Sequence, residues 1–173
     1  ARSKCQNNLK QLGVGLHNHL SATGKFPAAR GTLLLSMVPP STSTPGFTQY
    51  RGWMCEILPY LEQDPLKATM FSQPTPGDWA TNFFATYNTP MKQFVCPTDA
   101  RQGELLNPPA GSFGAWTTYL GVTGNDLNPS GSFSNGFFDV GSFGLTTQDM
   151  PDGTSTTLAV GERSPASDLY WGW

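Results

Sequence analysis

The chain has 173 residues and a formal net charge of −2, and charged side chains make up 13% of it, about half the share usual for a globular domain. No basic run exceeds two residues and no apolar run approaches the length of a bilayer span, which excludes a nucleic-acid footprint and a membrane span within these residues. Gly 19 and Pro 15 together form about a fifth of the chain, enough for one domain in which loops and short strands dominate after the first helix.

Residues 1–23 read as an amphipathic helix. Cys5, Leu9, Leu12, Leu16 and Leu20 fall on one stripe at spacings of four, three, four and four, while Lys4, Gln6, Asn7, Lys10, Gln11 and His17 take the other face. No capping residue stands at position 1 and no acidic residue in the first turn; Arg2 and Lys4 are there instead, which the helix dipole disfavours at a free amino end. The expectation is that this helix continues upstream and that these residues are its carboxyl-terminal half. Gly24 is placed to end it, with Pro27 barring resumption. Gly13 and Gly15 lie inside, each costing about 1 kcal/mol relative to Ala. That points to a close approach by another backbone or by a neighbouring helix in an assembly, with simple tolerance as the alternative.

Residues 28–112 read as a mixed insertion. The apolar run LLLSMV is followed by PPSTSTPG, an exposed loop. Trp53, Ile57, Leu58 and Leu61 have helical spacing, so a short helix is expected around 53–63, with a second after Pro65. A polar, aromatic-rich connection covers 72–90, and Phe94, Val95 and Cys96 run into a turn at Pro97. From 113 to 173 the pattern is β: strands are expected at 116–122 and 154–162, a hairpin-type turn at Ser134-Asn135-Gly136, and a turn at Pro151-Asp152-Gly153. The fold class is therefore α+β, one domain over 1–173, with a sheet packed on the apolar stripe of the helix.

Chemistry-bearing residues are sparse. His17 and His19 are two apart and point about 200° from each other on a helix, so a shared metal is not expected. Glu56 and Glu62 are six apart, which is no shared helical face, and read as solvated or capping residues rather than an acid–base pair. Asp126, Asp139, Asp149 and Asp152 are turn positions. Asp149 and Asp152, with Thr154, are weak calcium candidates that lack the ligand series of a calcium loop. The three cysteines, Cys5, Cys55 and Cys96, form no CxxC pair; one disulfide in any of three pairings and three buried thiols are equal readings. Aromatic pairs and triplets (Phe83, Phe84; Phe137, Phe138; Tyr170, Trp171, Trp173) suit either a core or a binding face. No nucleophile elbow, phosphate loop or dinucleotide fingerprint occurs, so no catalytic constellation emerges and no cofactor is implied.

Three ordered segments, CQNNLKQLGVGLHNH at 5–19 with GKFP at 24–27, WMCEILPYLEQ at 53–63 with FVCPTD at 94–99, and DMPDGTSTTLAVGERS at 149–164, resemble the prepilin-like proteins expanded in planctomycete bacteria. The resemblance implies a pilin-like fold and a structural role rather than an enzymatic one: the headpiece of a type IV pilus-like or type II secretion pseudopilus-like filament subunit. It implies a leader and an apolar helical half upstream, anchored in the inner membrane before assembly, and a headpiece on the periplasmic or extracellular side. Partners would be other pilin-like subunits, with no nucleic acid. Leu9, Leu12, Leu16 and Leu20 would form the seam between helix and sheet, and loops 28–50, 72–92 and 100–115 would decorate the filament. Cys5 and Cys96 sit at family-like positions, so the resemblance favours a Cys5–Cys96 bridge. The chain departs from its relatives at Ser142, where many have His, and at Cys55; relatives also run on past a segment like Trp171-Gly172-Trp173. A second reading from a different class is a secreted or envelope-tethered module that holds glycan or protein through exposed aromatics. A hydrolase using Glu56 or Glu62 is the third and weakest reading.

Overall fold

A computed structural model describes residues 2–29, 52–71, 88–100, 115–124, 136–138 and 144–163. Helix α1 (Arg2–Thr23) is followed by α2 (Trp53–Ile57), a 3₁₀ turn at Leu58–Leu61, α3 (Asp64–Phe71), a 3₁₀ turn at Lys92–Phe94, strand β1 (Tyr119–Gly121), a 3₁₀ turn at Thr147–Asp149 and strand β2 (Val160–Glu162). The described residues are thus α+β, with an antiparallel β1–β2 pair in the register Tyr119–Glu162, Leu120–Gly161 and Gly121–Val160. The apolar run at 33–38, most of the connection at 72–90, Ser134 and Asn135 of the expected turn, Asp126, Asp139, Ser142, Phe83, Phe84, Tyr170, Trp171 and Trp173 lie outside the described residues, as do large parts of the 28–112 and 113–173 segments.

Helix α1 ends through local chemistry. Gly24 adopts a φ of +79°, and its N–H donates to the Leu20 carbonyl at 2.7 Å, the left-handed cap that glycine permits. The Thr23 hydroxyl donates to the His19 carbonyl at 2.8 Å, and His19 Nδ1 donates to the Lys25 carbonyl at 2.9 Å. Along the helix Cys5, Leu12, Gly15 and Leu16 are buried, while Leu9 and Leu20 are half-buried and pack at the edge of the core.

Among the described residues the stripe meets helical segments as well as the expected sheet. Helix α1 rests chiefly on α2 and the 58–61 turn, and the 92–94 turn and β2 contribute less. A helix of 22 residues extends about 33 Å, whereas each of the two described strands, at three residues, extends about 10 Å, so β1 and β2 by themselves cover only part of it. At Gly15, which faces the 53–61 segment, a Cβ would lie 3.5 Å from Leu61 Cδ2 and 3.6 Å from Ile57 Cβ, an ordinary contact distance. Gly13 faces open space, with nothing within 4 Å of a Cβ placed there.

The expected helix at 53–63 is realised in two parts. Pro59 lacks an N–H and cannot continue the α-helical ladder, so the chain tightens into the 3₁₀ turn with Pro in its first positions. Glu62 stops it with a φ of 61° and donates its N–H to the Leu58 carbonyl. The strands are shorter than the pattern at 116–122 and 154–162 predicts. Thr156 donates its hydroxyl to the Asp152 carbonyl, and Thr157 donates to the Gly153 carbonyl at 2.8 Å. These side chains hold the backbone in turns and keep it from the ladder until Val160. The Pro151–Gly153 turn is present, with Gly153 at a φ of +81° and its N–H donating to the Met150 carbonyl at 3.0 Å.

One buried cluster joins these elements. Trp53 stacks on Phe138 with ring centroids 4.9 Å apart, and Phe137 meets both Phe138 and Phe26 edge-on at 4.8 Å. Gly144 lies beside this stack with a φ of +84°, where any Cβ would run into the Phe26 carbonyl. The close approach lets the Phe26 N–H donate to the Leu145 carbonyl at 2.8 Å, so the segment leaving α1 is tied to the segment that leads toward β2.

Candidate functional site

The densest set of long-range interactions surrounds the first turns of α1. A disulfide joins Cys5 to Cys96 across a sequence separation of 91, with an S–S distance of 1.98 Å and Cα atoms 4.8 Å apart. One turn later, Asn8 Nδ2 donates to the carbonyls of Lys92 and Val95, each at 3.0 Å. The Tyr119 hydroxyl donates to the Cys5 carbonyl at 3.2 Å. On the other side of the bridge the Cys96 N–H donates to Thr118 Oγ1 at 2.7 Å, and the Thr117 hydroxyl donates to the Phe94 carbonyl at 2.9 Å. The 3₁₀ turn at 92–94 gives way to extended backbone at Val95, and Pro97 bars Cys96 from resuming a helix. The Tyr119, Thr118 and Thr117 bonds are buried and satisfy polar groups that would each cost about 1–3 kcal/mol if left unpaired.

The sulfur atoms have a polar border. Thr98 Oγ1 lies 2.8 Å from Cys96 Sγ and 3.7 Å from Cys5 Sγ. Glu162 is exposed at the end of β2, opposite Tyr119, and a cavity of about 120 Å³ opens between Cys96, Thr98, Glu162 and Arg163. Burial pushes the Tyr119 phenol above its ordinary value; the Asn8 side chain opposes this and the Glu162 charge adds to it. A phenol that ionises later in the folded state than in the unfolded one contributes stability that is intact below about pH 10 and is lost as pH rises through the folded value. Tyr119→Phe is therefore expected to flatten the alkaline limb of a stability–pH profile from chemical denaturation. At pH 7 it should cost about 1–2 kcal/mol, because the Cys5 carbonyl loses its donor.

Among residues singled out from sequence, Glu56 is committed to Lys67, Oε2 to Nζ at 3.1 Å. Glu62 instead borders an open groove of about 460 Å³, in which Asn7, Lys10, Gln11 and Val14 of α1 face Tyr60. Val14 is 50% exposed there, an apolar side chain on the otherwise polar face of α1. His17 and His19 diverge, His17 edge-on to Phe26 at 5.4 Å and His19 edge-on to Tyr60 at 6.0 Å.

The calcium candidates Asp149 and Asp152 are exposed. Asp149 Oδ2 accepts from both the N–H and the hydroxyl of Thr146 at 2.7 Å, closing a capping box on the 147–149 turn. Among the described residues no third His, Cys, Asp or Glu gathers with the two. The bond from the Thr146 N–H, followed by that from its hydroxyl, holds the Asp149 carboxyl below its usual range. That stabilisation is present above the ordinary carboxylate pKa of about 3.9 and is lost as pH falls through the folded value. Asp149→Asn should accordingly be less stable than the parent at pH 6, and the difference in urea midpoints should close below pH 4.

Asn8, Tyr119 and Glu162 did not stand out in the sequence as site residues. Asn8 carried a usable signal, since it lies three residues after Cys5 and four before Leu12 and so borders the apolar stripe. Glu162 carried none, because its proximity to Cys5 and Cys96 follows from the β1–β2 register.

Comparison with known proteins gives one result of substance. A family model described as "Protein of unknown function (DUF1559)" matches residues 1–173. No curated protein and no solved structure matches the chain.

Proposed function

We propose, for a chain that belongs to the family of proteins of unknown function DUF1559, that it serves as the headpiece of a pilin-like filament subunit and has a structural rather than a catalytic role. The observation that carries this reading is the fastening of α1. Its first turns are cross-linked to the headpiece by Cys5–Cys96 and clamped by Asn8, so a load applied along the helix axis passes into the body through covalent and hydrogen bonds. A helix that served only to cover a core would not need its amino end held so firmly.

No helix among the described residues is long and apolar enough to cross a membrane; the membrane anchor belongs to this reading only through the likeness to prepilin-like proteins, whose headpiece follows an apolar helical half. Such a half leaves lipid only for the corresponding helices of other subunits, because its apolar surface must stay out of water. In this reading the partners are further pilin-like subunits, and the protein sits in the bacterial envelope with its headpiece outside the inner membrane.

The test is expression of the natural full-length gene product with and without a prepilin peptidase. Peptidase-dependent shortening measured by intact mass, followed by filaments in electron micrographs, is the expected result. Processing by a signal peptidase with release of a monomer would instead support a secreted binding module.

A further inference from the structure

We propose that reduction of the Cys5–Cys96 disulfide converts this corner into a binding site for a thiophilic divalent cation such as zinc, held by the two thiolates and the Glu162 carboxylate. Cys5 Sγ, Cys96 Sγ and a Glu162 carboxylate oxygen all lie within 4.8 Å of one another. Zinc holds sulfur at about 2.3 Å and carboxylate oxygen at about 2.0–2.2 Å in a tetrahedron, which sets the donors roughly 3.3–3.8 Å apart. The carboxylate must close by about 1 Å, which a rotamer adjustment of an exposed Glu supplies. The sulfurs must part from bonding distance by less than 2 Å once the S–S bond is broken.

Three features favour a cation over an empty dithiol. The scaffold around the sulfurs does not depend on the bridge: Asn8 on the 92–95 carbonyls, Tyr119 on the Cys5 carbonyl, Thr118 under the Cys96 N–H, and the Arg163 N–H donating to the Thr118 carbonyl at 2.8 Å all remain when it opens. Thr98 places its hydroxyl beside both sulfurs, where it donates to a thiolate and orients it, the outer support that metal ligands require. The cavity of about 120 Å³ beside Cys96 is lined by Glu162 and Arg163; it provides an approach path and room for a water as fourth ligand. Two thiolates and a carboxylate on a dication leave one net negative charge, and the opposite charges of Asp99 and Arg163, which both line the cavity, offset each other.

The chemistry balances with a dithiol reductant as co-reactant. The dithiol gives two electrons and two protons, its own sulfurs join, and the Cys5–Cys96 bond becomes two thiols; the cation then displaces both protons to solvent. The metal thereby restores the same cross-link that the disulfide made.

The test uses the whole protein, reduced with dithiothreitol, desalted without oxygen and titrated with cobalt and then zinc. Expected are one cobalt per chain with a thiolate-to-cobalt charge-transfer band, displacement by zinc, a melting temperature raised by zinc in the reduced protein alone, and no binding by the oxidised protein. Glu162→Gln, whose oxidised form should melt like the parent, is expected to weaken zinc binding by at least about tenfold, the least that loss of an outer partner costs such sites. Cys55→Ser should leave binding unchanged. Equal binding before and after reduction overturns the proposal, as does a reduced protein without the band. So does zinc affinity that is the same with and without Glu162→Gln, which is also what a reduced chain that had unfolded would give.

Discussion

Replacing both Cys5 and Cys96 by Ser is expected to lower the stability of the folded protein by about 3–5 kcal/mol. The bridge closes a loop with a sequence separation of 91, and in the chain-entropy account a loop of that size is worth roughly 4.6 kcal/mol at 25 °C, acting mainly on the unfolded ensemble. For a domain of this size the melting temperature should fall by roughly 10–15 °C. Two features make the prediction specific. Reduction of the parent should produce the same loss as the double substitution, because Cys55 is buried and takes no part in the bridge. The folded-state far-UV and near-UV spectra of the variant should match the parent, since Asn8, Tyr119 and Thr118 still hold the corner in place. A loss under 1 kcal/mol by urea denaturation would mean that the cross-link restrains nothing the other contacts do not already restrain.

What could be read in the sequence divides along contact range. The end of α1 was legible because Gly24, Thr23 and Pro27 act within a few residues of one another. The break after Ile57 was legible in outline because Pro59 forbids the next α-helical hydrogen bond. The strand lengths were not, since the alternation at 116–122 and 154–162 carries no sign that threonine hydroxyls would take the backbone carbonyls of Phe94, Asp152 and Gly153. The corner around Cys5 was the least legible. Asn8 reaches carbonyls 84 and 87 residues away, and the Tyr119 hydroxyl reaches back 114; periodicity in one segment holds no information on such meetings. The bridge itself was reached only through resemblance to a family, because the cysteine spacings alone left three pairings equal. The stripe on α1 is legible as a face from its spacing, but what it meets among the described residues depends on long-range packing that the spacing does not encode.

That stripe sets the second large prediction. Leu12 is fully buried and Leu16 is 3% exposed, whereas Leu9 and Leu20 are half-buried at the margin of the core. Leu→Ala removes the same atoms at each position, so the differences must come from the cavity left behind and the water already in contact. Where a site cannot collapse, the cost lies at the upper end of about 2–5 kcal/mol; where solvent already reaches the side chain, part of the transfer term was never gained and about 1–2 kcal/mol is expected. Leu12→Ala should therefore be the most damaging of the four, Leu16→Ala next, and Leu9→Ala and Leu20→Ala clearly milder, in thermal or urea unfolding of the otherwise intact protein. Four equal losses would show that α1 is not seated on the 53–61 segment in this way. A graded series would locate the seat at the middle of the helix, between the covalent tether at Cys5 and the cap at Gly24.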